Sequence, residues 1–362
     1  MGTPGGLGLR PGRGGVGDPA GRARAAGPGG PDRTPVERRR SARRSAVSRP
    51  ETWRRRLRRR WKNRPGLVPW LLAAPQRLFF RLLRLLPDRA VLAVGDRLGR
   101  LAWLVPRRRE LGRRHLARAL PCRTAGERDR ILRRSCGHLG RAAAEAMVLW
   151  PKHEPEWFRG RIAVAPQARE LLAAWRGRGA IVIQAHLGSI EATSTLLALE
   201  GLRPATPMRL PRNHYLARDL LRARNRGAAE VLPRQGAVKR MLRHLGGGGS
   251  LVLTFDQNAH HKPVFVPWFG HPAATERTPA ALALRTGAPV LAAWTVRRPT
   301  GGAAWDFHLA LVRDRQPPAT ADEAAVTRLT ASFHRVLEEI VLRHPEQYLW
   351  IHDRYRSRPP SP

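Results

Sequence analysis

The chain has 362 residues and carries 67 Lys or Arg against 27 Asp or Glu, a net charge of +40. This length accommodates one large α/β domain with a helical preamble. All but four of the basic residues are Arg, so part of the charge reflects composition, yet the excess still predicts an anionic partner: nucleic acid, a membrane surface or an acidic carrier protein. Two cysteines do not make a disulfide framework, and the first thirty residues lack the apolar run of a signal peptide, so we expect no secretion.

Residues 1–66 hold 19 Lys or Arg against 4 Asp or Glu and almost no apolar clusters. Such a segment buries too little apolar surface to offset the entropy of ordering, which predicts a disordered basic tail. Six Arg between Arg54 and Arg60 lie between Trp53 and Trp61, just before the first apolar stretch. This cluster suits an anionic membrane surface, and the alternative is a solvated tail.

Residues 67–87 are strongly apolar, but their longest run without a polar residue, 67–75, is far shorter than the roughly 20 residues that span a bilayer. Arg77, Arg81 and Arg84 recur at helical spacing on one face and leave leucines and Phe79 to the rest. The pattern predicts an interfacial helix that lies on a membrane. The alternative is an ordinary surface helix whose Arg stripe faces solvent.

Residues 88–150 predict two or three helices, with Gly95 and Gly99 allowing them to pack closely. From about residue 178, β-rich runs alternate with helical stretches, which predicts an α/β fold with a sheet covered by helices. The predicted strands are 180–185, 250–256, 289–296 and 305–312. One helix is predicted at 280–286, preceded by Thr278 and Pro279 and followed by Gly287. Another is predicted at 322–343.

The segment AIVIQAHLGSIEATSTLL, residues 180–197, carries the strongest chemical signal. A buried strand leads to His186, Gly188 permits a tight turn, and Ser189 is placed to cap a helix whose first turn contains Glu191. The helix dipole favours an ionised carboxylate there, which can fix the imidazole tautomer. We therefore predict His186 as a general base with Glu191 as its partner, because active residues of α/β folds lie at strand ends; the alternative is a structural histidine.

Other polar residues follow the strand at 250–256. Asp256 and Gln257 end that strand, and we expect them to position substrate or to brace the His186 loop. The adjacent His260 and His261 have no acidic or Cys ligands at a suitable spacing, so we expect a surface loop there and no metal site. No cofactor is expected.

Three blocks resemble the bacterial lipid A biosynthesis acyltransferases, the lauroyl and myristoyl transferase family that includes phosphatidylinositol mannoside acyltransferases. The first is HLGSIE at 186–191, which is similar to the family's form of the H-x-x-x-x-[DE] motif. The second runs from LVLTFDQN at 251 through VFVPWFG at 264 to the helix and strand AALALRTGAPVLAAW. The third is HPEQYLWIHDRYRSRP at 344–359. The resemblance covers roughly residues 67–359.

The resemblance implies a mixed central sheet flanked by helices, as in glycerolipid acyltransferases. It implies an acyltransferase domain at 67–359, with a helical membrane-interfacial part at 67–150 and an α/β catalytic core at 178–359. The reaction implied is transfer from an acyl thioester, on acyl carrier protein or coenzyme A, to a hydroxyl of a glycolipid such as a lipid A precursor. Such an enzyme acts at the cytoplasmic face of the bacterial inner membrane.

The resemblance also places residues 208–227 beside the active site and implies roles for Arg209 and Arg224 as ligands of phosphate or carboxylate, although solvated helix residues are the alternative. Two nearer functions stay open, lysophospholipid and phosphatidylinositol mannoside acyltransferase. A basic nucleic-acid-binding protein is the alternative of another class, but no recognisable module supports it, and we expect no nucleic acid partner.

Overall fold

The structure is a computed structural model that describes residues 63–226, 229–233 and 236–359. Of the predicted basic tail only residues 63–66 fall in these ranges, so the Trp-flanked Arg cluster lies outside the described residues. The α-helices are α1 (Leu67–Arg84), α2 (Asp88–Arg100), α3 (Pro106–Ala119), α4 (Ala125–Ala144), α5 (Trp150–Lys152), α6 (Pro155–Arg159), α7 (Pro166–Trp175), α8 (Ile190–Leu199), α9 (His214–Arg226), α10 (Ala237–Gly246), α11 (Thr278–Thr286) and α12 (Glu323–Arg343). A π-helical segment, Glu145–Leu149, follows α4, and 3-10 turns lie at Leu101–Leu104 and Pro345–Gln347.

The strands are β1 (Ile162–Val164), β2 (Ile181–Gln184), β3 (Pro204–Met208), β4 (Glu230–Pro233), β5 (Ser250–Thr254), β6 (Val264–Trp268), β7 (His271–Thr275), β8 (Val290–Arg297) and β9 (Trp305–Arg313). Seven of them form one sheet in the order β1-β9-β8-β2-β5-β3-β4, and β6 pairs with β7 in a separate antiparallel hairpin. Within the large sheet only the β8–β9 pair is antiparallel. The predicted α/β fold with a mixed central sheet is confirmed.

Both faces of the sheet are covered, as a mostly parallel sheet requires. Along β2 the side chains alternate between two cores: Ile181 and Ile183 join the core that includes Phe333 of α12, whereas Val182 joins the core that includes Trp305. The four strands predicted from apolar runs are all present. The sequence prediction missed β1, which has three residues, and the proline-containing strands β3, β4, β6 and β7.

Close packing of α2 on α4 depends on small residues, as predicted. A Cβ at Gly99 would lie 2.2 Å from the carbonyl oxygen of Cys136, and one at Gly140 would lie 1.9 Å from that of Gly95. The backbones of the two helices therefore touch. This contact fixes α4, whose other residues line the site described below.

Helix α1 differs from an ordinary amphipathic surface helix, because it exposes large apolar side chains and turns an arginine towards the protein. Arg77 turns towards the protein, where its Nε lies 2.7 Å from Asp219 Oδ2 of α9. The outward face is apolar: Leu71, Leu78 and Leu82 are each more than half exposed, and Leu85 just after the helix is 80% exposed. None of the helices in the described ranges is both long and apolar enough to cross a bilayer.

Candidate active site

The carboxyl ends of three neighbouring parallel strands bring the predicted site residues to one edge of the sheet. His186 follows β2, Asp256 follows β5, and Arg209 comes directly after β3. Gln184 of β2 is in register with Thr254 of β5, so His186 and Asp256, each two residues further on, stand at the same level. Ligand sites of open α/β sheets lie at such edges.

The turn after His186 has the predicted construction. Gly188 adopts a left-handed φ of 59°, and a Cβ there would lie 1.9 Å from the carbonyl oxygen of Thr295. That same oxygen accepts the backbone N–H of Ser189 at 2.8 Å. The Ser189 hydroxyl accepts the N–H of Ala192 at 3.4 Å and caps α8. Glycine is required here because the chain presses against β8.

The imidazole of His186 is held by Asp256. Its Nδ1 lies 2.6 Å from Asp256 Oδ1, and its backbone N–H donates to Asp256 Oδ2 at 2.9 Å. Burial opposes the charged form of His186, but the charge of Asp256 and its hydrogen bond outweigh this effect and raise the pKa of His186. Burial likewise opposes ionisation of Asp256, yet His186 lowers the pKa of that carboxyl to about 2. In the neutral imidazole, Nδ1–H therefore donates to Asp256 and Nε2 is left as a proton acceptor.

Gln257 occupies that acceptor position. Its side-chain Nε2 lies 3.1 Å from His186 Nε2. The amide N–H there shows that a hydrogen-bond donor can reach this nitrogen. Asp256 and Gln257 therefore hold different positions. Asp256 braces the histidine, and Gln257 faces its proton-accepting nitrogen.

The structure gives His186 and its predicted partner Glu191 different hydrogen-bond partners. Glu191 lies in the first turn of α8, but its Oε1 pairs with Arg224 Nη2 of α9 at 2.5 Å, and among the described residues no hydrogen bond joins it to His186. Burial raises the pKa of Glu191, Arg224 opposes that rise, and the nearby Glu145 adds to it. The neighbouring strand end, in register with β2, brings Asp256 to His186 instead.

The two predicted anion-binding arginines differ in their surroundings. Arg224 is mostly buried against Glu191, and its charge is close enough to lower the pKa of His186. Its Nε has no hydrogen-bond partner within the described part of the chain. Arg209 is exposed at the end of β3. The sheet edge therefore offers one guanidinium beside the histidine and another at the surface.

The predicted surface loop with His260 and His261 is present, and both side chains are exposed. In the described ranges no three His, Cys, Asp or Glu side chains come together as a metal site would require. His260 instead lies 3.4 Å from the Asn258 amide.

An apolar groove opens beside His186, between α4 and the start of α8. Burial lowers the pKa of His138 in its wall to about 3, so this imidazole is neutral near pH 7. The groove is lined by Ser135, His138, Leu139, Ala142, His186, Gly188, Ile190, Gln347, Tyr348 and Leu349. No sequence signal linked α4 to the site, because only the packing of α4 brings it there.

Comparison with known proteins adds an independent line of evidence. A profile of a family described as bacterial lipid A biosynthesis acyltransferase matches residues 65–357. The chain is similar to the lipid A biosynthesis palmitoleoyltransferase of Escherichia coli (strain K12), with 26% identity over 281 residues that cover 76% of this chain and 87% of the relative. The lauroyltransferase of the same organism is 25% identical over 284 residues, which cover 76% and 88%. The family match spans the whole sheet edge described above.

Proposed function

The chain belongs to the bacterial lipid A biosynthesis acyltransferase family, and we propose that it moves a fatty acyl group from a thioester to a hydroxyl of an anionic glycolipid, such as a lipid A precursor, with His186 and Asp256 as its base pair. One observation carries the mechanism: the 2.6 Å contact between His186 Nδ1 and Asp256 Oδ1 at the carboxyl end of the sheet. It leaves Nε2 free of its own proton and directed at Gln257. An acyltransferase that uses an alcohol acceptor needs a nitrogen in this state.

In the proposed reaction the acceptor hydroxyl replaces the Gln257 amide at His186 Nε2. As the hydroxyl oxygen attacks the thioester carbonyl, Nε2 takes its proton, and Asp256 stabilises the imidazolium that forms. Collapse of the tetrahedral intermediate breaks the carbon–sulfur bond, and the imidazolium returns the proton to the departing thiolate. General-base assistance of this kind contributes roughly a hundredfold to ten-thousandfold in rate.

The oxyanion of the intermediate needs a donor, and two kinds of group near His186 are candidates, a backbone N–H near Gly188 and an arginine. The Gly188 N–H already donates to the carbonyl oxygen of Gln347 at 3.0 Å, and that of Ser189 to Thr295. Arg224 is the better candidate, because its charge acts on His186 while Glu191 holds one end of the guanidinium. We assign Arg224 to this electrostatic role.

We assign the acyl chain of the donor to the apolar groove beside His186. Leu139, Ala142 and Ile190 give the groove its hydrocarbon lining, and the neutral His138 adds no charge. A chain carried by a water-soluble thioester must be shielded when it leaves its carrier, whereas the chains of a glycolipid acceptor remain in the bilayer. Both proposed carriers, acyl carrier protein and coenzyme A, are anionic, which suits the excess of Arg.

The exposed apolar face of α1 suits a membrane surface, where Leu78, Leu82 and Leu85 would leave water. Arg209, exposed at the end of β3, is placed to meet an anionic headgroup. Because acyl thioesters are made in the cytoplasm, we place the enzyme at the cytoplasmic face of the inner membrane.

The function can be tested with purified enzyme, acyl carrier protein or coenzyme A thioesters, and candidate acceptors, with products identified by mass spectrometry. We expect an added acyl group on the glycolipid, abolished in His186→Ala and retained in His260→Ala, which removes an exposed histidine from the loop after β5. Acylation of a lysophospholipid or an inositol mannoside in place of the lipid A precursor would identify that lipid as the acceptor. Wild-type turnover by His186→Ala would refute the mechanism.

A further inference from the structure

The segment after α12, residues 344–357, wraps the site as a strap and touches both halves of the base pair. Its backbone pairs with the His186 loop: the N–H of Leu349 donates to the His186 carbonyl at 3.1 Å, and the Gln347 carbonyl accepts the N–H of Gly188 at 3.0 Å. Leu187 and Tyr348 form an antiparallel bridge between them. The strap thus fixes the backbone on both sides of His186.

The same strap holds the loop after β5, which carries Asp256. Arg354 is only 3% exposed, and its Nη1 donates to the Gln257 carbonyl at 3.1 Å. The N–H of Asn258 donates to His352 Nε2 at 3.2 Å, and the Asn258 side chain accepts the N–H of Ser357 at 3.0 Å.

Arg354 is anchored at its other end as well. Nη1 also donates to the Ala274 carbonyl at 2.5 Å, and Nη2 donates to the Thr275 hydroxyl at 2.6 Å, both on β7. Tyr348 is also buried, and burial together with the charge of the nearby Asp256 raises the pKa of its hydroxyl well above the usual range. Among the described residues the buried Arg354 guanidinium binds neutral carbonyls and a hydroxyl, and its charge has no direct counter-ion there. The positive charge of Arg354 instead acts on the nearby buried carboxylate of Asp256, whose pKa it helps to lower.

We propose that Arg354 and Tyr348 are positioning residues: Arg354 fixes the Asp256–Gln257 loop and supplies positive charge to it, Tyr348 places its hydroxyl near the Asp256 carboxylate, and together they hold Asp256 ionised and in register with His186. The inference rests on the proposed function for its kinetic readout. Neither side chain is given contact with the reacting atoms. Their effect passes through Asp256.

Several titratable groups on the packed elements face the His186–Asp256 pair. Burial lowers the pKa of His334 on α12 to about 3, that of His115 on α3 to about 4, and that of His352 in the strap, so these imidazoles are neutral near pH 7. The remaining groups from the packed elements are Glu191 of α8, Arg224 of α9, and Tyr348 and Arg354 of the strap. Arg224 already has Glu191, which leaves Arg354 as the charge that serves Asp256.

The sign of the effect follows from this arrangement. Removing the positive charge or the nearby Tyr348 hydroxyl makes Asp256 more basic, and a more basic Asp256 holds a proton on His186 more strongly. The acid limb of kcat/KM should then move to higher pH. Loss of geometry should lower kcat about tenfold to a hundredfold with little change in KM.

Two matched pairs of variants test this. Arg354→Met removes the charge and Arg354→Lys keeps it; Tyr348→Phe removes the hydroxyl beside Asp256, and Tyr355→Phe removes another strap hydroxyl, which donates to the Trp268 carbonyl at 2.7 Å. We expect a lower kcat and an acid limb shifted upwards by about half a unit in Arg354→Met and Tyr348→Phe. In Arg354→Lys and Tyr355→Phe we expect the limb to stay at the wild-type pH.

Thermal melting identifies variants that fail to fold. If the Arg354 variants fail to fold, the comparison of Tyr348→Phe with Tyr355→Phe tests the positioning role. A histidine NMR titration, with the His186 signal assigned by its loss in His186→Gln, reads the same shift without turnover. If the wild type transfers no acyl group but the His186 titration still moves in Arg354→Met, the function fails and the positioning role stands. An unmoved titration in folded Arg354→Met and Tyr348→Phe, or equal effects of the two Tyr→Phe variants, would overturn the positioning role.

Discussion

Two regions of this molecule invert the usual arrangement of side chains, and they do so in opposite ways. At the sheet edge, charged groups are buried: Asp256 is 2% exposed and Glu191 8%. Along α1, large apolar groups are exposed while Arg77 turns inward to Asp219. Buried charges and exposed apolar surface are both costly for folding alone, so each is best explained by function.

The two regions also differ in how they are held. The sheet edge depends on contacts between residues far apart in sequence, such as His186 with Asp256 and the strap with both loops. The outward face of α1 is generated locally by helical spacing. We therefore expect substitutions in the first region to change chemistry without changing membrane binding, and substitutions in the second to do the reverse.

The largest effect should separate the two carboxylates of the sheet edge. Asp256→Asn should lower kcat about a hundredfold to ten-thousandfold, because the amide no longer fixes the His186 tautomer or stabilises the imidazolium. Glu191→Gln should cost about tenfold, since Glu191 acts through Arg224.

Steady-state kinetics on both variants, with thermal melting to verify folding, gives the comparison. Glu191→Gln should also lower the free energy of unfolding by about 1–3 kcal/mol through loss of a charged hydrogen bond to Arg224. Greater loss of kcat in Glu191→Gln than in Asp256→Asn would reverse the assignment made from the geometry.

The pH profile tests the same pair more finely. The base must be neutral to accept a proton, so kcat/KM should fall as pH drops through the pKa of His186, which lies above the ordinary value of 6.5. In Asp256→Asn the influence that raises this pKa is gone, while burial and Arg224 still lower it. The acid limb should therefore move to lower pH, measured on the residual activity. A limb at the same pH in both enzymes would show that Asp256 does not act on the base.

Features that arise from local sequence can be predicted, whereas features that depend on distant contacts cannot. The apolar strands β2, β5, β8 and β9, the Gly188 turn and the Ser189 cap are local signals, and all were predicted. Pairing His186 with Asp256 requires knowing that β2 and β5 are neighbours in register, across a separation of 70 residues. Glu191, five residues from His186, was favoured because it is close in the chain, lies in the first turn of a predicted helix and fits the H-x-x-x-x-[DE] motif.

The groove and the strap escaped prediction for the same reason. Ala142 and Leu139 reach the site only because α2 and α4 pack closely, and Arg354 does so because the chain returns after α12. A lone Arg in an Arg-rich sequence carries no signal of its burial. Strand order and helix packing, rather than motifs, decide these roles.

A smaller and more specific effect is expected from the groove. Ala142→Leu adds bulk to its apolar wall, so the preferred donor should become shorter while activity with short chains persists. Competition between acyl thioesters of increasing length, read by mass spectrometry, measures the preference. Ala143→Leu, an exposed neighbour on α4, is the control. An unchanged preference in Ala142→Leu would mean that the donor chain lies elsewhere.

Substitutions on α1 should have the smallest effect on chemistry. They should change membrane binding instead of turnover. Replacing Leu71, Leu78, Leu82 and Leu85 by Ser removes an apolar contribution of about 1 kcal/mol for each half-exposed leucine that enters the interface. Flotation with anionic liposomes should then fall at high salt, while turnover of detergent-dispersed substrate stays near wild type and Asp256→Asn floats normally. Leu311→Ser with Leu342→Ser, at comparably exposed positions on β9 and α12, is the matched control.

The basic tail should behave differently from α1 in the same assay. Deleting residues 1–66 removes Arg that contribute about 1 kcal/mol each near an anionic surface, and salt screens that contribution. Binding should therefore weaken mainly at low ionic strength, whereas the apolar contribution of α1 persists as salt rises. If the full chain fails to float even at low salt, or if the α1 variant and its Leu311/Leu342 control float equally, the apolar face of α1 does not bind lipid.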